Sequence, residues 1–464
     1  MMKWIRKHIE LKWGVLFVFV VTLTVGLISA RMKSESEENE LTPVFLHETE
    51  EKVWMPRAPL TDDVRSSLSF VIDSLCRITD PAHSLDSFLE ELHRLASGRD
   101  TTIQIVHLGD SHVQAGFYSG AAMRLLQRTF GNAGRGWIAP YKLARDNEPT
   151  DYFITSSKVR NWSVGRCTRR TSDCAWGPGG IGIQADVSGV DFTISIAPNN
   201  GAGYEFNQVI LYRNEGTLPM LPVGEDERVE TVWAKAPYSP GVMVDTFKLP
   251  TKSGELQLYT AAQGRLTPAS LSSIRNCYYG FVLTNGQPGI LYHSIGQNGA
   301  MFVNYTNEEY IRQLSLLDPS LLIVTLGTNE TFGANFSTSE FLLQVDRFVR
   351  LVKAYLPFTA LVLSTPAESY RSVRGRRGKR SYKRNENIDL AARAIKEYAW
   401  REGVACFDLY GMTGGANSCE QWLASDHLGR DRIHFNVAGY QEQGKLLYKA
   451  LLRSELDYRK RMSL

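Results

Sequence analysis

Two stretches of this chain, 101–130 and 289–452, alternate short apolar runs rich in β-branched residues with segments whose apolar residues recur at helical spacing. Runs at 102–108, 289–294, 321–326, 360–364 and 403–408 read as strands, and helical spacing follows at 115–130, 339–355, 387–401 and 438–452. The strand runs are apolar on both faces, so each must be covered from both sides. Strands alternating with helices therefore specify α/β architecture, a parallel sheet with helices on both faces. Between the two stretches the texture changes. Short candidate strands at 190–196, 204–212 and 255–259 are separated by Gly, Pro and Asn clusters, with no convincing helical period from 151 to 280. That spacing predicts a β-sandwich or jelly roll inserted into the α/β domain. Ahead of the first strand, helical spacing appears at 62–77 and 84–97, with Ser84 placed to cap the second.

The N-terminus obeys another rule. Lys3, Arg6, Lys7 and Lys12 precede an uncharged run at 13–30. As a helix that run would be about 27 Å long, near the thickness of a bilayer's hydrocarbon core. Basic residues before it keep that end in the cytoplasm and send the rest across the membrane. A cleaved signal peptide is the other reading, though Ile28-Ser29-Ala30 is a poor cleavage site. The segment after it is rich in Glu, Ser and Pro and reads as a tether. The expected order is thus an N-terminal transmembrane helix at 1–31, tether at 32–60, first α/β part at 61–150, β insertion at 151–285 and second α/β part at 286–455. At 464 residues, more than one domain is the natural expectation.

Composition excludes some classes of partner. A formal charge of +3 gives no support to nucleic-acid binding, which leaves a basic excess. Six cysteines without a Cys-x-x-Cys pair argue against structural zinc. Cys167 and Cys174 are close enough in sequence to bridge, or to be two unpaired thiols. Both readings stay open.

Three polar clusters sit where loops leave the carboxyl ends of predicted strands, the usual place for function in such sheets. They are Gly109-Asp110-Ser111-His112, Gly327-Thr328-Asn329-Glu330, and Asp431-Arg432-Ile433-His434 before the last helix. Singly, each has a plain structural explanation as a helix cap or turn. Together they supply one chemistry, acyl transfer to a hydroxyl. A serine needs a base, for which a neutral imidazole is suited, and the imidazole needs a carboxylate to fix its tautomer. The oxyanion needs donors, each worth roughly 3–4 kcal/mol. Ser111, His434 and Asp431 fill the first roles; the Ser111 N–H and the Asn329 amide are candidate donors. Asp426-His427 is a competing pair, disfavoured by its spacing.

This pattern resembles the SGNH/GDSL hydrolase family, whose signature residues are a Ser, a Gly, an Asn and a His. The resemblance covers 101–140 and 289–452. It implies a flavodoxin-like sheet and no cofactor or metal, and it makes Gly299 of Ser294-Ile295-Gly296-Gln297-Asn298-Gly299-Ala300 a further backbone donor to the oxyanion hole, with Gly296 as the alternative. His112 stands where leucine is commoner, and Glu330 where aspartate is usual. A β domain inserted after the first helix, with Gly131-Asn132-Ala133-Gly134-Arg135-Gly136 nearby, resembles the peptidoglycan O-acetylesterase branch, whose insertion is similar to a carbohydrate-binding module. The branch implies an esterase acting on a polysaccharide or peptidoglycan; the N-terminal run independently agrees, placing it in the bacterial cell envelope, inner-membrane anchored with its catalytic domain in the periplasm. An O-acyltransferase using the same serine and a non-catalytic glycan-binding surface protein are the rival readings.

Three features have two readings each. Metal-dependent phosphoesterases also use Gly-Asp-x-His loops, but they need histidines at ligand spacing, and none of the nine here forms a His-x-His pair. Arg371, Arg374, Arg376, Arg377, Lys379, Arg380, Lys383 and Arg384 form a dense basic loop, either solvated surface or an attractor for an anionic glycan. Trp162, Trp176 and Trp233 in the insertion are either sugar-stacking platforms or core.

Overall fold

The computed structural model describes residues 65–464 apart from 173, 188, 199–201, 225–228, 261–274, 334 and 375–379. The expected anchor at 1–31 and tether at 32–60 lie outside the described residues. Among the described residues no helix is long and apolar enough to cross a membrane.

Six strands make the central sheet: β1 (Ile78–Thr79), β2 (Thr102–Gly109), β3 (Gly289–Gly296), β4 (Leu321–Thr325), β5 (Ala360–Ser364) and β6 (Ala405–Phe407). Their order is β1-β6-β5-β4-β2-β3. Only the short edge strand β1 is antiparallel; all other pairs are parallel. The five parallel strands follow the flavodoxin-like order, whose direction of winding switches between β2 and β4. The main helices are α1 (Asp86–Ala96), α2 (Phe117–Phe130), α3 (Thr338–Tyr355), α4 (Glu386–Glu402) and α5 (Val437–Met462).

Strand apolarity on both faces is used as the sequence implies. On β4, Leu321 and Ile323 pack with residues of α1, α2 and α5, whereas Leu322 and Val324 pack with α3 and α4. Alternate side chains thus enter two cores on opposite sides of the sheet.

Several local expectations change. The described part of 62–77 holds only a 3-10 turn, Asp73–Leu75. Its apolar residues lie against other elements instead: Phe70 meets Trp422 edge-on at 5.3 Å, and the Ile72 N–H donates to Met412 O. The start of α1 is held not by Ser84 but by Asp80, which accepts the N–H groups of Ser84 and Leu85 and the Ser84 hydroxyl. The helix expected at 115–130 is preceded by a separate turn, Ser111–Gln114, and the two are divided by Gly116 at φ 74. Helix α5 runs ten residues past the expected 452, because Glu455 and Tyr458 are buried there.

The interrupting segment forms two antiparallel sheets. One has strands Glu230–Lys235, Val242–Ser253, Phe206–Asn214, Asn276–Thr284, Ile181–Ala185 and Ser163–Arg166 in spatial order, with Gly136–Ile138 pairing to Asn276–Thr284. The other has Tyr152–Thr155, Asp191–Ile196, Glu255–Thr260 and Met220–Pro222. They face each other: Phe192 of the smaller sheet meets Tyr278 and Phe281 of the larger at 4.9 and 5.6 Å. Alternating burial along Glu255–Thr260 is what such packing requires. The sandwich takes in 136–138, ahead of residue 151, and one continuous core joins it to one side of the α/β sheet. Trp162 stacks on Phe192 at 5.7 Å and Trp176 contacts Tyr310, both packed against the core; Trp233 is 45% exposed. All six cysteines are buried and none is in a disulfide, Cys167 and Cys174 included.

Candidate active site

The nucleophile turn is built by close approach. A Cβ on Gly109 would lie 2.4 Å from Val113 Cγ2 and 2.9 Å from Thr325 O, so only glycine lets β2 end this close to its own turn and to β4. The next residue, Asp110, caps the turn: its Oδ1 accepts the His112 N–H at 2.9 Å. Ser111, first in the turn, is thereby presented above the switch point, with its Oγ 2.9 Å from His434 Nε2.

The base comes from the loop before α5, and the Asp-x-x-His spacing has a local cause. Asp431 Oδ1 accepts the N–H groups of Ile433 and His434, both at 3.0 Å, folding the loop back with Arg432 at φ 58. Oδ2 is left to face His434 Nδ1 at 2.7 Å. Since a carboxylate only accepts, Nδ1 carries the hydrogen and Nε2 is the acceptor turned to Ser111. Partial burial pushes the Asp431 carboxyl upward, but the His434 ring and the two N–H groups outweigh it and hold the pKa at about 2. The same loop's Asn436 caps α5 through Gly439 N–H, so capping and base positioning coexist. The competing pair is elsewhere: His427 Nδ1 lies 2.6 Å from Ser425 O, with its ring against Trp422.

Asn329 links the loops that carry the candidate donors, bonding to the neighbours of Ser111 and Gly299. Among the described residues neither the Ser111 N–H nor the Gly299 N–H has a protein acceptor. Gly299 sits at φ 76 with open space where a Cβ would be, whereas a Cβ on Gly296 would strike Gln114 N at 2.3 Å. Gly296 is therefore a packing glycine beneath the nucleophile turn. The Asn329 amide is within reach, but both its N–H bonds are taken, by Asp110 Oδ2 at 3.1 Å and Ala300 O at 2.9 Å. A developing oxyanion must share or displace one of them.

Two residues carry more of the site than sequence reasoning assigned. His112 Nδ1 lies 2.8 Å from Asp110 Oδ1 and its Nε2 3.2 Å from Ile433 O, tying the nucleophile turn to the base loop. Glu330 Oε1 accepts the Phe302 N–H at 2.8 Å, tying the Asn329 loop to the Gly299 loop. Burial pushes its carboxyl up to about 7. Both stood out in the sequence only as departures from the commoner residue. The basic loop is a β-hairpin, Tyr370–Arg374 paired with Arg380–Arg384; Arg376, Arg377 and Lys379 lie outside the described residues.

Residues 273–442 match the family model described as GDSL-like Lipase/Acylhydrolase family. This part of the chain is similar to the GDSL-like acylhydrolases. The GDSL-like match includes Asn329, Asp431 and His434 but not Ser111, which lies on the far side of the sandwich. Among curated proteins none matches. A solved peptidoglycan O-acetylesterase shares the fold, with 19% identity over 82% of this chain and 99% of its own, and a TM-score of 0.62. A GDSL-like lipase from Bacteroides thetaiotaomicron (18% identical, 35% of this chain, 76% of its own) has a TM-score of 0.28. A carbohydrate esterase family 3 protein from Talaromyces cellulolyticus (15%, 36% and 73%) has the same score. The latter two do not bear on the fold.

Proposed function

We propose that this chain is a serine esterase that removes O-acetyl groups from a cell-wall or extracellular polysaccharide, peptidoglycan being the first candidate, through an acyl-enzyme on Ser111. The reading rests on the 2.9 Å contact of the Ser111 hydroxyl with an imidazole whose other nitrogen faces Asp431 at 2.7 Å. His434 Nε2 takes the Ser111 proton as Oγ attacks the acetyl carbonyl. The Ser111 and Gly299 N–H groups, joined by Asn329 once an N–H turns from Asp110, stabilise the oxyanion. Collapse expels the sugar oxygen, which takes the proton from His434. Water, deprotonated by the same ring, then attacks the acyl-enzyme; the Ser111 Oγ–acyl bond breaks, Oγ takes the proton back from His434, and acetate leaves.

Exposure supports a polymeric substrate and water as acceptor. The His434 and Asp431 side chains are 43% and 50% exposed, so the triad lies on an open surface that an ester on a large polymer can approach. The name of the fold's relative agrees with this class of substrate. The sandwich is read as a jelly-roll, carbohydrate-binding module, with Trp233 more accessible than Trp137, Trp162 and Trp176. The uncharged run at 13–30 and its basic flank support an inner-membrane anchor that leaves the esterase in the periplasm of a bacterial envelope.

The test is acetate release by the full chain from an aryl acetate and from O-acetylated peptidoglycan. Wild type should hydrolyse both, and Ser111→Ala should lose at least about a thousandfold in kcat/KM. A Ser111→Ala protein as active as wild type would sink the proposal.

A further inference from the structure

The hairpin beside the triad has charges that no ion pair among the described residues neutralises. Its register sets Tyr370 opposite Arg384, Ser372 opposite Tyr382 and Arg374 opposite Arg380, which puts these six residues on one face. Two contacts fix its base at the site. The Tyr370 N–H donates to Arg432 O at 2.9 Å, two residues from His434, and the Arg371 guanidinium donates to Thr331 O, two residues past Asn329. The six-residue face looks onto the base loop, where the Arg432 guanidinium lies over the Tyr370 and Tyr382 rings at 5.6 and 4.8 Å.

Cations near the base are matched: Arg384 with Glu368 at 2.7 Å, and Arg432 with Glu420. Farther out they are not. Arg374, Arg380 and Lys383 are exposed, and none makes an ion pair among the described residues. Arg374 and Arg380 are direct cross-strand partners, an arrangement that like charges make unfavourable. A two-stranded hairpin has little stability of its own to absorb that. An anion between the two guanidiniums removes the repulsion, and their planar forks match carboxylate geometry.

We propose that this outer face grips carboxylates of the same polymer whose ester reaches Ser111, so that the enzyme selects acidic glycans, bearing uronate or peptide carboxylates, over neutral ones. This rests on the esterase reading and adds the substrate class. At strand rise, Arg374 stands about 13 Å along the hairpin from Tyr370. Ester and carboxylate therefore belong to different residues of the polymer, and a small ester engages only the triad.

The experiment compares wild type with the double variant Arg374→Ser/Arg380→Ser and a charge-keeping Arg374→Lys/Arg380→Lys control. Substrates are an aryl acetate, acetylated xylan as the neutral polymer, and acetylated polygalacturonate and O-acetylated peptidoglycan as two carboxylate sources. The Ser variant should keep aryl acetate and xylan rates within about twofold and lose about tenfold in kcat/KM, through KM, on at least one carboxylate polymer. The Lys control, which keeps the charge without the fork, should lose less than the Ser variant, and added salt should erase the wild-type preference. Equal losses on neutral and acidic polymers, or none on either, overturn the proposal. Binding of unacetylated polygalacturonate, read by sedimentation, separates the two readings. If aryl acetate is not hydrolysed but the polymer binds in an Arg374/Arg380-dependent way, the esterase reading fails and the grip stands. Arginine-dependent binding to phosphatidylglycerol vesicles, with none to the polymer, assigns the face to a membrane and also overturns it.

Discussion

Two acceptors face the ring of His112, the Asp110 carboxylate and the Ile433 carbonyl, and neither can donate. The ring satisfies both only as an imidazolium. Burial pushes its pKa down, but the charge and hydrogen bond of Asp110, the Ile433 carbonyl and the Asp431 charge together outweigh it and the balance is upward. This ring stacks on His434 at 5.3 Å and holds the peptide just before it. His112→Leu should therefore lower kcat on an aryl acetate ten- to hundredfold, the scale on which small misplacements act, with KM little changed. His112→Gln, which can still donate one bond, should recover part of the loss. An unchanged kcat would mean that the Asp431 turn alone holds the base. Glu330 gives a second residue-level expectation, for stability. Its folded pKa, about 7 against 4.5, means that the folded chain holds this proton more tightly than the unfolded one. Stability then falls as pH rises between those values, by up to about 3 kcal/mol, and stays lowered above them. Glu330→Gln can keep the Phe302 N–H bond without the charge. Melting curves should show that its Tm gains on wild type between about pH 5 and about pH 8. A parallel pH dependence for the two proteins would contradict this.

Helices α2 and α5 carry the next level of organisation, because each begins beside one half of the triad. They meet closely at Gly444, where a Cβ would lie 2.5 Å from Tyr118 O and 2.6 Å from Ala121 Cβ. Gly444→Val must push the helices apart, and a loss of about 1–3 kcal/mol in denaturant unfolding is expected. Activity should fall further than that loss explains, since the Ser111 and His434 turns move with the helices; a fully active, equally stable variant would refute this account. Elements of this layer were legible in sequence wherever burial dictates composition. Strands β4 and β5 are apolar at nearly every position because both faces are covered. The hairpin was not legible, since its alternation is written in charged and polar residues and its stability comes from the base contacts. The segment 62–77 misled for the opposite reason: its apolar residues have helical spacing, but they are used one at a time against Trp422 and its neighbours.

Across the molecule, meeting of the triad was legible because each polar cluster ends or follows an element at one edge of the sheet. The state of the Asn329 amide was not, because its two acceptors come from separate loops. The limits of the sandwich were also obscure, since its first strand, Gly136–Ile138, lies within what reads as the α/β part. That strand has a consequence for kinship. It pairs directly with Phe281–Leu283, and Asn132 bridges to Ile290, so the chain leaves the hydrolase and re-enters it one strand spacing away, about 4.8 Å. Through space, the pairing of β2 with β3 carries the hydrolase sheet across that seam without a gap. Traced along the sequence, a whole module separates them, and likeness to a family fades at the seam just where the nucleophile is needed. The likeness detected at 273–442 accordingly takes in Asp431 and His434 and leaves out Ser111, although the seam holds all three within one sheet's reach.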